Sequence, residues 1–107
     1  MGIDQDRLET IIRIFKAVSS PIRLKILALC SEREYTNREL RETLGISKPL
    51  LIVHLKKLVN SGLLKYRVYF DQDRMIVRKY YKTSENIKIC LDKRMLNSIF
   101  KKEEESN

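Results

Sequence analysis

The 107-residue sequence has no tryptophan, one histidine, two cysteines, two prolines and three glycines. Each scarcity removes a class of explanation. Cys30 and Cys90 lie far apart, each inside an apolar pattern, so neither a disulfide framework nor a CxxC motif is available and both are expected to be buried free thiols. A lone histidine, His54, with no second ligand nearby, reads as a structural residue, and no metal is expected. No apolar run is long enough to span a bilayer, and Met1–Arg7 lacks the basic start and apolar centre of a signal peptide. A cytoplasmic protein with no membrane partner is the expectation. Paired carboxylates in a glycine-lined pocket, a nucleophile with its base and a phosphate-cradling loop are all missing, which makes an enzyme the least favoured class and leaves no cofactor to expect.

What is abundant is positive charge. Lysine and arginine number 22 against 14 acidic residues, a formal net charge of +8. The excess is concentrated: residues 46–82 hold nine basic and two acidic side chains, while the remainder is nearly balanced. A one-signed field confined to a third of the chain is the footprint of a polyphosphate partner rather than of a merely soluble surface. With 43% hydrophobic residues, the length suits one core, so residues 1–107 are expected to form a single domain.

Helical periodicity dominates the first 62 residues. Leu8, Ile11, Ile12, Phe15 and Val18 mark a first helix with Asp4 or Asp6 as its cap. Ser20 and Pro21 restart the chain as cap and first helical residue of a second, apolar at Ile22, Ile26, Leu27 and Leu29 and ending near Ser31; Glu32–Tyr35 reads as a polar connector. Thr36-Asn-Arg-Glu39 has the form of a capping box, and Gly45 can turn the chain sharply before Ser47 caps another helix closed by Gly62. Two short capped helices joined by a glycine turn make a helix-turn-helix over residues 36–62. In the second of them, residues 47–61, Leu51, Leu55 and Leu58 share one face. Pro49, Val53, Lys56, Lys57 and Asn60 occupy the other, so one side packs and the other is offered to a partner.

Past Gly62 the composition shifts to β-branched and aromatic residues. Leu64–Phe70 and Met75–Lys82 read as two strands about Asp71–Arg74, a wing spanning 63–82, with Tyr66, Val68 and Phe70 on a packed face and Lys65, Arg67 and Tyr69 on a cationic one. The alternation of Ile87, Ile89 and Leu91 suggests a third strand, and Asp92 can cap a last helix over about 92–103. The fold class is therefore α+β, mostly α. In the last helix Met95, Leu96, Ile99 and Phe100 form an apolar stripe. With Leu8, Ile11, Ile12 and Phe15 it makes a candidate dimer interface, the alternative being a helix that packs on its own domain.

Two segments carry a family likeness. Phe15-Lys-Ala-Val-Ser-Ser-Pro-Ile-Arg-Leu-Lys-Ile-Leu27 resembles the opening signature of ArsR-type winged-helix regulators, and Leu44 to Leu63 resembles their recognition helix and its exit. The likeness covers roughly residues 8–82. It implies a winged helix-turn-helix that binds double-stranded DNA as a homodimer, acts as a repressor and places its second tandem helix in the major groove. Metal-sensing members carry cysteines in the helix before the recognition helix, whereas Thr36–Leu44 has neither cysteine nor histidine, so a metal response is not expected.

On that resemblance, Lys56 and Lys57 with the wing residues Arg67, Arg74 and Arg78 are expected at phosphates, beside Thr36, Asn37 and Ser47 at the helix starts. Pro49, Leu50, Ile52 and Val53 occupy positions that in relatives meet base edges, and none can donate or accept there. Selectivity then falls to Lys48, thymine methyl contacts, the wing and DNA shape. The competing class is a winged-helix docking module, in which Leu50, Ile52 and Val53 would meet a protein groove. The charge concentrated in residues 46–82 counts against it.

Overall fold

The computed structural model describes residues 2–101. In chain order the elements are helix α1 (Gln5–Val18), helix α2 (Pro21–Glu32), strand β1 (Tyr35–Thr36), helix α3 (Asn37–Leu44), helix α4 (Lys48–Asn60), strand β2 (Leu64–Asp71), strand β3 (Ile76–Thr83) and helix α5 (Lys93–Asn97). The helix starts are fixed by local chemistry. Asp4, Ser20, Thr36 and Ser47 each accept a backbone N–H three residues on, and Thr36 and Glu39 complete a reciprocal capping box. The Thr36 amide, ahead of Arg33, holds the Glu39 carboxyl below the usual carboxylate range. At the far ends Gly45 and Gly62 adopt φ of 66° and 79°, the left-handed conformation that lets the chain leave a helix abruptly.

Burial of one face of each of the first four helices builds a single core. Ala17 of α1, Ile26 and Cys30 of α2, Leu40 of α3, and Leu51, Leu55 and Leu58 of α4 close on Leu63, Leu64, Tyr35 and Tyr81 at the root of the sheet. The three strands run antiparallel in the order β1-β3-β2, with Tyr35 opposite Tyr81 and Leu64 opposite Thr83. Thr83 donates its hydroxyl to the Leu27 carbonyl at 2.7 Å, and Ser84 bonds back to Gly62 and Leu63, so the hairpin is fastened at its base.

Several expectations need correction. The connector before Thr36 contains a strand, β1, that only the distant partner Tyr81 makes possible. The anticipated packed face of the wing exists only at Leu64: Tyr66, Val68 and Phe70 are exposed, because β2 and β3 run past the end of the helical layer. Ile87, Ile89 and Leu91 form no strand and are exposed, because they do not pair with either free edge of the sheet. Helix α5 stops at Asn97 rather than continuing toward 103, of which residues from 102 on lie outside the described residues. Ile99 sits in a turn, and Phe100 forms an antiparallel bridge with Ile3. Cys30 is buried as expected, and burial pushes its thiol up to about 11, but Cys90 is exposed beside the Asp92 carboxylate, which also raises its pKa.

Candidate nucleic-acid interface

Helix α4 presents its working face because its other face is committed. Leu51, Leu55 and Leu58 are inside, which turns Leu50, Val53, Lys56 and Lys57 to solvent and leaves Ile52 half-buried at the boundary. Ser47 caps the helix and Pro49 occupies its first turn, so neither Pro49 nor the start of α4 leaves an intrahelical bond unmade. Between this face and the hairpin runs a groove of about 1100 Å³. One wall is α3 and α4, with Asn37, Arg38, Arg41, Lys48, Ile52 and Lys56. The other is β3 and its neighbour, with Tyr66, Ile76, Val77, Arg78 and Lys79. Past Tyr80, β3 is bordered by β2 alone, because β1 ends at Thr36; this opens the edge of β3 toward α3 and α4.

The groove brings together Thr36, Asn37, Lys48, Ile52, Lys56 and Arg78 from the residues anticipated at a nucleic-acid surface. Ser47, Pro49, Leu50, Val53 and Lys57 are on α4 or its cap but outside the groove, and Arg74 is exposed at the hairpin turn. Arg67 is exposed and lies outside the groove: its guanidinium is 4.4 Å over the Tyr80 ring and its Nε donates to Glu34 at 2.7 Å, which links the hairpin to the segment before β1. Arg38, Arg41 and Lys79 were not anticipated. Arg41 donates to Asn37 Oδ1 at 2.8 Å, Arg38 pairs with Glu42, and Lys79 sits 4.8 Å from the Tyr66 ring. Alternation along β3 sets Lys79 on the face opposite to Arg78, so a reading that chose Arg78 passes over Lys79, although both line the open edge of the strand.

At the other end of the molecule, the segment after α5 lies beside α1. Asp4 N donates to Ile99 O, Lys101 N donates to Gly2 O and Arg7 Nε reaches the Ser98 hydroxyl at 3.2 Å. Ile12, Leu96 and Phe100 are exposed there, and Leu8, Phe15, Met95 and Ile99 are half-buried. Ile11, anticipated at a subunit surface, is instead buried within its own chain, because its side of α1 turns inward. Among the described residues no helix is long and apolar enough to cross a membrane.

Residues 20–66 match the family described as bacterial regulatory protein, arsR family. An uncharacterized HTH-type transcriptional regulator of Methanocaldococcus jannaschii is 28% identical over 91% of this chain and 99% of its own length. A "Probable mercury resistance operon repressor" of Streptomyces lividans is 41% identical over 55% of this chain and 47% of its own. Among solved structures, NolR from Sinorhizobium fredii superposes with a TM-score of 0.63 at 27% identity, covering 76% of this chain and 75% of that one. The family match spans α2 through the first residues of β2, which hold most of the core, Ala17 and Tyr81 excepted, and the exposed face of α4. The two curated relatives are named as a transcriptional regulator and a repressor, and the chain is similar to them, with an arsR-family domain over residues 20–66 set in a winged helix-turn-helix fold.

Proposed function

We propose that the protein represses transcription by binding a two-fold site in double-stranded DNA as a homodimer, with α4 in the major groove and the hairpin along the adjoining backbone or minor groove. The observation that carries this reading is the groove between α4 and β3, whose walls hold Lys48, Lys56, Arg78 and Lys79 in the segment that concentrates the charge. Lysines and arginines there would neutralise phosphates, while Ile52 and Val53 would meet thymine methyls. A single winged helix reads one half-site, so the exposed Ile12, Leu96 and Phe100 are assigned to the contact between two copies. The radius of gyration of 17.7 Å, against about 13 Å for a compact domain of this length, fits a chain that leaves surface for a partner. Repression is carried over from the Streptomyces relative; a mercury response is not, since α3 holds no cysteine or histidine.

Titrating labelled genomic fragments at two salt concentrations tests this. With about six phosphates neutralised, the logarithm of affinity falls with the logarithm of salt at a slope near −5. Salt-independent affinity, or none for duplex DNA at low salt, would end the proposal. Lys56→Ala should weaken all duplexes alike and lower that slope by about one. Ile52→Ala should instead cost on the order of 1 kcal/mol of discrimination between preferred and random duplex. The exposed Leu50 and Val53 keep a protein-docking reading alive. It would prevail if Ile52→Ala left discrimination intact and abolished binding to a protein partner.

A further inference from the structure

Arg23 has no part in the groove, yet it is the one buried charged side chain among the described residues, at 8% exposure. It lies in the first turn of α2 and ties three helices together. Its Nε donates to the Ala17 carbonyl at 2.7 Å, and its Nη2 donates at 3.0 Å to the Lys16 carbonyl, which also accepts the N–H and hydroxyl of Ser19. Its Nη1 lies 3.0 Å from Nδ1 of His54, in the middle of α4. A guanidinium has only donors and stays protonated, so His54 Nδ1 must accept. The chemistry of the partner therefore fixes the histidine as a neutral ring with its proton on Nε2.

We infer that Arg23 and His54 are positioning residues for α4, a tie between the end of α1 and the middle of the recognition helix that holds only while His54 is uncharged. The inference rests on the DNA-binding reading of α4 for its functional consequence. Protonation would set an N–H of His54 against an N–H of Arg23, two cations with no acceptor between them. The groups that act on the ring are Arg23 from α2 and Lys57 from α4, both positive, while α1 supplies only the two backbone carbonyls to Arg23. No carboxylate among the described residues bonds to either side chain. Burial of the ring, then Arg23, then Lys57 lower the histidine's pKa below its ordinary value. Moderate acid breaks the tie, and neutral pH restores it. Because His54 is the sole histidine, its titration is isolated from any other imidazole.

The full chain allows two independent readouts. Nitrogen and proton resonances of the single histidine should show Nδ1 unprotonated, Nε2 bearing hydrogen, and a midpoint below the ordinary 6.5. Protonated Nδ1 in the neutral ring, or a midpoint at or above that value, overturns the inference. Affinity for a labelled mixed-sequence duplex at fixed ionic strength should fall about tenfold between pH of about 7.5 and about 5, the factor that corresponds to one unit of differential protonation. In His54→Asn, Oδ1 takes the place of Nδ1 without titrating, so neutral affinity should stay within about twofold and the acid loss should vanish. An equal acid loss in that variant, or a flat profile in the unsubstituted protein, overturns the positioning role alone. If the variant does not fold, the affinity loss in the unsubstituted chain must set in, on acidification, at the midpoint of the free protein's resonance, and an onset elsewhere overturns it. Failure to bind the duplex at either pH removes the DNA-binding reading itself, while the resonance experiment still judges the Arg23–His54 bond.

Discussion

Helix α4 and the β2–β3 hairpin follow one another in the chain and are similarly rich in apolar residues, but the first is anchored and the second stands clear. Leu51, Leu55 and Leu58 recur at helical spacing and are shut inside, Leu58 at 0% exposure. Val68 and Phe70 recur at strand spacing with Val77 opposite, and Val68 and Val77 are 58% and 61% exposed. The difference teaches that a period identifies which side chains share a face and says nothing of whether another layer lies across from that face. For α4 that layer is α2, α3 and the sheet root; for the outer hairpin the helices have already ended.

The comparison can be broken most forcefully at its buried pole. Leu58→Ala should cost about 2–5 kcal/mol, the range for a fully enclosed leucine, read as a shift in urea midpoint at constant slope. A loss near zero would mean that α4 is not the element holding the domain together. At intermediate scale, Thr36→Ala removes the hydroxyl of the capping box at the junction between strand and helix; about 1 kcal/mol of stability should go with it in the same titration. Paired changes Leu96→Glu and Phe100→Glu are expected to leave that midpoint within about 1 kcal/mol while shifting sedimentation toward the monomer. A dimer that persists would move the subunit contact elsewhere. Smallest of all, Val68→Thr and Val77→Thr should each change stability by less than about 0.5 kcal/mol. A loss on the scale of Leu58→Ala would show that the hairpin is covered in the working protein.

How much was legible follows the same division. Helix starts and the α3–α4 turn could be read because Asp4, Ser20, Thr36, Ser47, Gly45 and Gly62 act on atoms a few residues away. Strand β1 could not, since Tyr35 becomes a strand residue only when Tyr81 arrives beside it. The alternation of Ile87, Ile89 and Leu91 looked like a strand, but the segment pairs with neither free edge of the sheet, β1 or β2. At the candidate interface, Lys48 and Lys56 were readable as exposed residues of an amphipathic helix. The Arg67–Glu34 bond was not readable, because Glu34 lies 33 residues earlier. Arg23 was invisible for the same reason: its histidine partner is 31 positions on, and a buried arginine gives no periodic sign.

The root of the hairpin has a mechanical consequence. Strands of eight residues reach roughly 26 Å from base to tip, so a rotation of about 5° at the base swings the tip by about 2 Å. The pivot is made at the base by Thr83 against the Leu27 carbonyl, Ser84 against Gly62 and Leu63, and the buried Leu64 and Tyr81, and is extended by β1 beside Tyr80 and by the Arg67–Glu34 bond. The hairpin is thus a lever whose fulcrum rests on α2, and a displacement of α2 too small to disturb the core would be magnified several-fold where Arg74 and Met75 ride.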